Sequence, residues 1–250
     1  MNMKERRTPK RPVREEPLNW LDLRGGVFHA CGMILERIER SRIVPVVVVD
    51  DVESAESVAE ALLAGGMDVM EIPFRTAAAE CAIRRIAAKY PEILLGAGTL
   101  LEHDQVLRAR DAGAVFGLAP GLNPRIVETA AGCGLALAPG VMTPSEVDRA
   151  LALGCRLLKF FPAEVAGGIA MLKALAGPYA HTGVKFIPTG GVSANKLRAY
   201  LELPIVAAVG GSWMVDRALV AAGRWDEITR LTREALAVAA GVVPGRAAGI

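Results

Sequence analysis

Residues 43–74 read IVPVVVVDDVESAESVAEALLAGGMDVMEIPF. Two near-continuous apolar runs, 43–49 and 69–74, flank a stretch (VESAESVAEALLAGG) whose Val, Ala and Leu recur at helical spacing until a glycine pair stops it. A strand that is apolar on both faces must be covered on both, which is the condition of a parallel sheet wrapped by helices. Strand, helix and strand at this spacing make a βαβ unit, and the chain goes on repeating it. Apolar runs return at 93–97, 114–118, 135–138, 157–161, 185–188 and 205–209, separated by helical patterns such as TAAAECAIRRIAAKY. Eight such runs in 250 residues predict an α/β fold, a (β/α)8 TIM barrel. A doubly wound open sheet is the alternative.

The ends read differently from the middle. Residues 1–25 carry Lys4, Arg6, Arg7, Lys10, Arg11 and Arg14 with several prolines and little to bury, the composition of a disordered basic arm. A helical pattern, VFHACGMILERIERS, then leads into the first strand. The single domain is expected over 26–240, closed by a helical stretch at 224–240, with 241–250 a frayed tail.

Composition narrows the function. The chain is 52% apolar but only 5% aromatic, so its core is built from aliphatic side chains. A formal charge of +2 is too small to point to nucleic acid as a partner. No segment has the apolar length of a membrane span, and the basic N-terminus lacks the apolar stretch of a signal peptide. Four cysteines and three histidines lie dispersed, without CxxC spacing or a ligand cluster, so neither a disulfide framework nor a metal is expected. A reduced, cytoplasmic protein follows from these features.

In a barrel the chemistry sits at the C-terminal ends of the strands. The second strand carries Glu71 and leads to Arg75. The third ends at Thr99, the fourth at Pro120, and the sixth carries Lys159 with Phe161 on the same face. The seventh ends in Thr189-Gly190-Gly191 and the eighth in Gly210-Gly211-Ser212. Glycine pairs let backbone N–H groups approach a ligand, and the loops after strands 7 and 8 are the customary phosphate seat of such barrels. Thr189 and Ser212 add hydroxyls there.

Lys159 is the least expected of these residues, a lysine in the apolar run LLKFF. Pointing inward, it is desolvated, which favours the neutral amine that attacks a carbonyl to form a Schiff base. A structural ion pair with Glu71 is the other reading of the same two residues. Glu71 is the one inward strand carboxylate available to move protons, and Arg75 offers a fork for a carboxylate, with Thr99 beside it. Amine, proton shuttle, carboxylate clamp and phosphate cradle together suit a 2-keto acid phosphorylated at its far end. Two rivals remain: a phosphosugar isomerase or epimerase using Glu71 and Lys159 as acid and base, and a non-catalytic barrel that binds phosphometabolites.

From about Ile43 to Val215 the chain resembles the 2-keto-3-deoxy-6-phosphogluconate (KDPG) and 4-hydroxy-2-oxoglutarate (KHG) aldolases, class I enzymes. The segments MEIPFRT, GAGT, APGLNP, PGVMTPSE, KFFPAE, PTGGV and GGSWMV carry the likeness, in that order. The resemblance implies Lys159 as the Schiff-base residue and Glu71 as general acid/base. It places Arg75, Thr99, Pro120 and Phe161 at the pyruvate end, and Thr189, Gly190, Gly191, Gly211 and Ser212 at the phosphate. It implies cleavage of KDPG to pyruvate and glyceraldehyde 3-phosphate, no cofactor beyond the covalent adduct, and a homotrimer. Position 73 departs from the pattern: it is proline, where such sequences often read threonine.

Overall fold

The computed structural model describes residues 24–242, with side chains from residue 32 onward. Most of the expected arm and tail, 1–23 and 243–250, lies outside the described residues. The strands are β1 (Ile43–Pro45), β2 (Val69–Pro73), β3 (Leu94–Gly98), β4 (Phe116–Leu118), β5 (Ala136–Ala138), β6 (Gly140–Val141), β7 (Leu157–Phe160), β8 (Lys185–Pro188) and β9 (Val209–Gly211). The helices are α1 (Arg24–Ser41), α2 (Val52–Ala64), α3 (Ala79–Lys89), α4 (His103–Asp111), α5 (Pro124–Cys133), α6 (Pro144–Ala152), α7 (Gly168–Tyr179), α8 (Leu197–Leu201), α9 (Arg217–Ala221) and α10 (Trp225–Ala240).

Every strand pairing is parallel, in the orders β2-β3-β4-β5, β6-β7-β8 and β1-β9. Single bridges close the gaps: Val46 with Glu71 joins β1 to β2, and Thr189 with Gly210 joins β8 to β9. β5 and β6 are one strand of the ring, divided at Pro139. Proline has no N–H to donate, so the carbonyls on either side carry the pairing. Ala138 O accepts from Ala119 N on the β4 side, and Pro139 O accepts from Lys159 N on the β7 side. Counted this way, the ring has eight strands and is the expected TIM barrel.

Two strands are shorter or later than their apolar runs suggest. The first run continues to Val49, but β1 stops at Pro45, and only Val46 and Val47 extend its contacts to β9 and β2. The last run, 205–209, is extended beside β8, yet its ladder to β1 begins only at Val209. Apolarity marks which residues are buried, not where hydrogen bonding starts.

Local signals set the helices. Asp51 caps α2 by accepting from Ser54 N at 2.6 Å, and Thr143 and Glu146 form a reciprocal capping box on α6. α5 has Asn123 as its cap, Pro124 in its first turn, and Gly134 ending it in the left-handed conformation at φ 77°. α10 lays Ile228, Thr232, Ala235 and Ala239 on the barrel. It approaches α2 so closely that a Cβ on Gly65 would stand 2.7 Å from the Thr232 side chain. Val242, just past α10, is buried as well.

Candidate active site

β2 and β7 are the second and sixth strands of the ring, so they stand opposite each other. Glu71 and Lys159 reach inward from them and meet. Lys159 Nζ is 3.4 Å from Glu71 Oε1, with the residues 5% and 1% exposed. Glu71 Oε2 is buried too and has no hydrogen-bond partner among the described residues. The Phe161 ring centre lies 5.7 Å from Lys159 Nζ, a cation–π distance for the protonated amine.

Glycines in the neighbouring strands allow close packing here, one beside the carboxylate and one against the backbone of the loop after β4. A Cβ on Gly98 of β3 would fall 1.8 Å from Glu71 Oε1, so the carboxylate occupies a side chain's place. Gly140, the register partner of Lys159, packs on the Pro120 carbonyl, where a Cβ would fall 2.2 Å from that oxygen. Thr99 follows Gly98 at φ 57°, a left-handed conformation that costs a residue with a β-branched side chain about 1–3 kcal/mol. Strain at a strand end beside the buried carboxylate is the pattern of a functional position.

Pro73 does not disturb this wall. In a parallel strand the N–H and C=O of one residue point to the same side. Phe74 N donates to Gly98 O on β3, which places the missing N–H of Pro73 on the β1 side. The β1–β2 pairing ends at that height: its last bond is Val47 N to Glu71 O, and the next donor in register is the N–H that Pro73 lacks.

The glycine pairs behave as their positions require. Gly190 and Gly191 have φ 102° and 79°. A Cβ on Gly190 would meet the Phe161 ring at 3.2 Å, and one on Gly191 would meet the Glu164 side chain at 2.9 Å. Gly211 is buried, with a Cβ position 1.9 Å from the Trp213 ring, and Ser212 beside it is exposed. Thr189 Oγ1 is turned back into the wall, donating to Ile187 O at 3.3 Å.

Arg75 and Ser212, expected at opposite ends of a substrate, line one cleft of about 380 Å³ together with Thr76, Asp216 and Arg217. The Arg75 side chain has no hydrogen-bond partner among the described residues. Thr76 Oγ1 is buried and has no partner among the described residues. Arg217 is held by Asp50, whose two carboxylate oxygens both accept from Nη2, at 2.9 and 2.6 Å. Sequence reasoning passed over Arg217 and gave Thr76, at the end of the second strand, no role, because nothing in one sequence says which loop residues face a cleft. Among the described residues no group of three or more His, Cys, Asp or Glu could hold a metal ion, and no helix is long and apolar enough to cross a membrane.

The family Aldolase: KDPG and KHG aldolase matches residues 34–231. The chain belongs to the KDPG and KHG aldolase family. As a member it is an aldolase, a carbon–carbon lyase. The match runs from within α1 into α10 and takes in every strand and site residue named above. A 2-dehydro-3-deoxy-phosphogluconate aldolase of Treponema pallidum is 45% identical over 205 residues, 82% of this chain and 97% of its own length. A crystal structure of the Legionella pneumophila KDPG aldolase, holding pyruvate as a covalent carbinolamine, superposes with a TM-score of 0.77 at 38% identity, covering 80% of this chain and 96% of that one. The Zymomonas mobilis enzyme, solved with 3-phosphoglycerate, gives 0.76 at 38% identity, covering 84% and 98%. The KDPG and KHG aldolase fold is thus matched over nearly the whole length of these relatives.

Proposed function

We propose that this aldolase cleaves 2-keto-3-deoxy-6-phosphogluconate to pyruvate and glyceraldehyde 3-phosphate through a Schiff base on Lys159. The buried Lys159–Glu71 pair carries this reading: an amine beside a carboxylate that has one oxygen to spare. The covalent pyruvate adduct of the Legionella relative supports it.

Glu71 takes the proton of the Lys159 ammonium, and the freed amine attacks the C2 ketone. Glu71, through its unpartnered Oε2 and a water, protonates the C2 oxygen as the carbinolamine loses water. A base then removes the C4 hydroxyl proton, the C3–C4 bond breaks, and its electron pair moves into the iminium to give an enamine. Glyceraldehyde 3-phosphate leaves. The enamine takes a proton at C3, and water adds at C2 to release pyruvate and the amine. The iminium is the electron sink, so no metal is assigned a step.

Arg75, without a side-chain partner among the described residues, is assigned to the substrate carboxylate, with Thr99, Pro120 and Phe161 bounding the pyruvate end. The Gly190-Gly191 and Gly211-Ser212 backbones are assigned to the phosphate, with Thr189 in the wall that joins them. The 3-phosphoglycerate in the Zymomonas relative supports a phosphate-ester seat in this fold. KHG, which the family name includes, is the second substrate, cleaved to pyruvate and glyoxylate. Assembly as a homotrimer is part of the same reading.

The test is to incubate the protein with pyruvate and borohydride and map the peptides. A reduced pyruvyl increment on Lys159 is expected. Folded protein without an adduct at that residue would overturn the Schiff-base assignment in favour of acid/base isomerase chemistry.

A further inference from the structure

The motif KFFPAE ends in a carboxylate to which the mechanism gives no task. Glu164 stands five residues beyond Lys159, in the loop after β7, and its side chain is 22% exposed. Its Oε1 accepts from Tyr200 Oη at 2.6 Å, and its Oε2 accepts from Lys196 Nζ. Tyr200 lies on α8 and is fully buried, and Lys196 lies just before that helix. Both partners follow β8 in the chain, so one carboxylate joins the loop after β7 to the segment after β8.

The backbone ties the same two loops together. Ala163 N donates to Thr189 O at 2.8 Å, and Glu164 N donates to Gly190 O at 3.1 Å. Side chains fill what remains. The Phe161 ring occupies the space over Gly190, and the Glu164 Cβ and Cγ occupy the space over Gly191. A Cβ on Gly168 would reach Tyr200 Oη at 3.0 Å, so the far side of the tyrosine is closed as well. Gly190 and Gly191 sit in left-handed conformations that a free loop would leave readily, and here Gly190 is pressed against the Phe161 ring and Gly191 against the anchored Glu164 side chain.

We infer that Glu164, anchored by Tyr200 and Lys196, is a positioning residue that fixes the Gly190–Gly191 loop as an anion seat at a set distance from Lys159. The inference rests on the proposed assignment of that loop to the substrate phosphate. Glu164 touches no reacting atom. It sets the orientation of backbone N–H groups before substrate arrives, and pre-set donors bind an anion without the cost of ordering a loop.

The experiment compares wild type with Tyr200→Phe, Glu164→Gln and Glu164→Ala in two assays. One is titration of inorganic phosphate followed by NMR. The other is KM and kcat for KDPG beside the rate of pyruvate trapping by borohydride. Tyr200→Phe keeps the ring in the core and removes one of the two anchors of Glu164, so the loop must be ordered on binding and phosphate affinity is expected to fall about tenfold. KM for KDPG should rise with it while pyruvate trapping holds. Glu164→Gln, which still accepts from Tyr200, should lose less than Glu164→Ala. Unchanged phosphate affinity in both Tyr200→Phe and Glu164→Ala would overturn the inference, as would an equal loss of pyruvate trapping and phosphate binding. If wild type binds phosphate but does not cleave KDPG, the proposed reaction fails, and the phosphate titration still decides the role of Glu164.

Discussion

Lys159 Nζ and Glu71 Oε1 stand 3.4 Å apart although their strands lie on opposite sides of the barrel. Each side chain reaches across the interior to the other, so the pair lies inside the barrel, where the proposed reaction needs its amine. Removing one partner leaves a lone buried ionisable group, which costs about 3–5 kcal/mol if it stays charged. Lys159→Ala should abolish KDPG cleavage, and substantial residual turnover would remove the Schiff base from the mechanism. Glu71→Gln should slow turnover by about 10²–10⁴-fold, the usual contribution of a general acid/base, while slow adduct formation persists. The double variant Lys159→Met/Glu71→Gln should be less destabilised than the two single losses sum to, measured as unfolding midpoints.

Gly98→Ala tests the space rather than the charge. The new methyl would sit 1.8 Å from Glu71 Oε1, so the carboxylate must turn away from Lys159. A displacement of this size costs about 10²-fold in rate. The expected outcome is that loss in kcat with KM for KDPG changed little. Wild-type kcat in a folded Gly98→Ala protein would show that the position of Glu71 does not matter.

Much of this site could be read from the chain, for physical reasons that also mark where reading stops. Lys159 within LLKFF and Glu71 within VMEIPF are charges in runs that must be buried, so both had to point inward and could meet, as an ion pair or as reacting groups. The eight apolar runs gave the barrel because burial on both faces leaves a continuous signature. Strand ends were less legible: β1 and β9 are set by where ladders pair, and Pro139 splits a strand without breaking the ring. The joint cleft of Arg75, Ser212 and Arg217 and the Glu164–Tyr200 bond join residues far apart in sequence. No periodicity encodes such contacts.

Ser212→Ala separates the two ends of the substrate. Ser212 is exposed in the cleft and contributes one hydroxyl to the proposed phosphate seat. Losing a hydrogen bond to a charged group should raise KM for KDPG about tenfold or more and leave cleavage of KHG, which has no phosphate, near its wild-type rate. Equal effects on the two substrates would move Ser212 away from the phosphate.

Acid should loosen the loop before it unfolds the barrel. Lys196, then Tyr200, hold the Glu164 carboxyl below its ordinary value of 4.5. A depressed folded value stabilises the native state above 4.5, and that stability is lost as pH falls through the lower folded value. Wild type should therefore be more stable than Glu164→Gln at neutral pH, and the gap should narrow in acid. A difference in unfolding midpoint that stays constant from neutral pH down to the acid transition would contradict the anchoring of Glu164.

Arg42 offers a stability test remote from the chemistry. It sits just before β1 at φ 62°, and its guanidinium donates to the carbonyls of Leu201, Ala239 and Val242. Its own carbonyl accepts from Val209 N, so one residue ties the first strand to the last and both to the end of α10. These contacts lie before β1 and β9 begin, at the end of the barrel opposite Lys159 and Glu71, where a strongly held residue serves the fold. Arg42→Ala strips the three carbonyls of a charged donor and should cost about 2–4 kcal/mol of unfolding free energy. Arg42→Gly should lose less than its missing side chain implies, because glycine relieves the left-handed backbone. Denaturant unfolding measures both. KM and kcat for KDPG should stay at wild-type values in the folded variants, and a rise in KM without a fall in stability would place Arg42 in the substrate site instead.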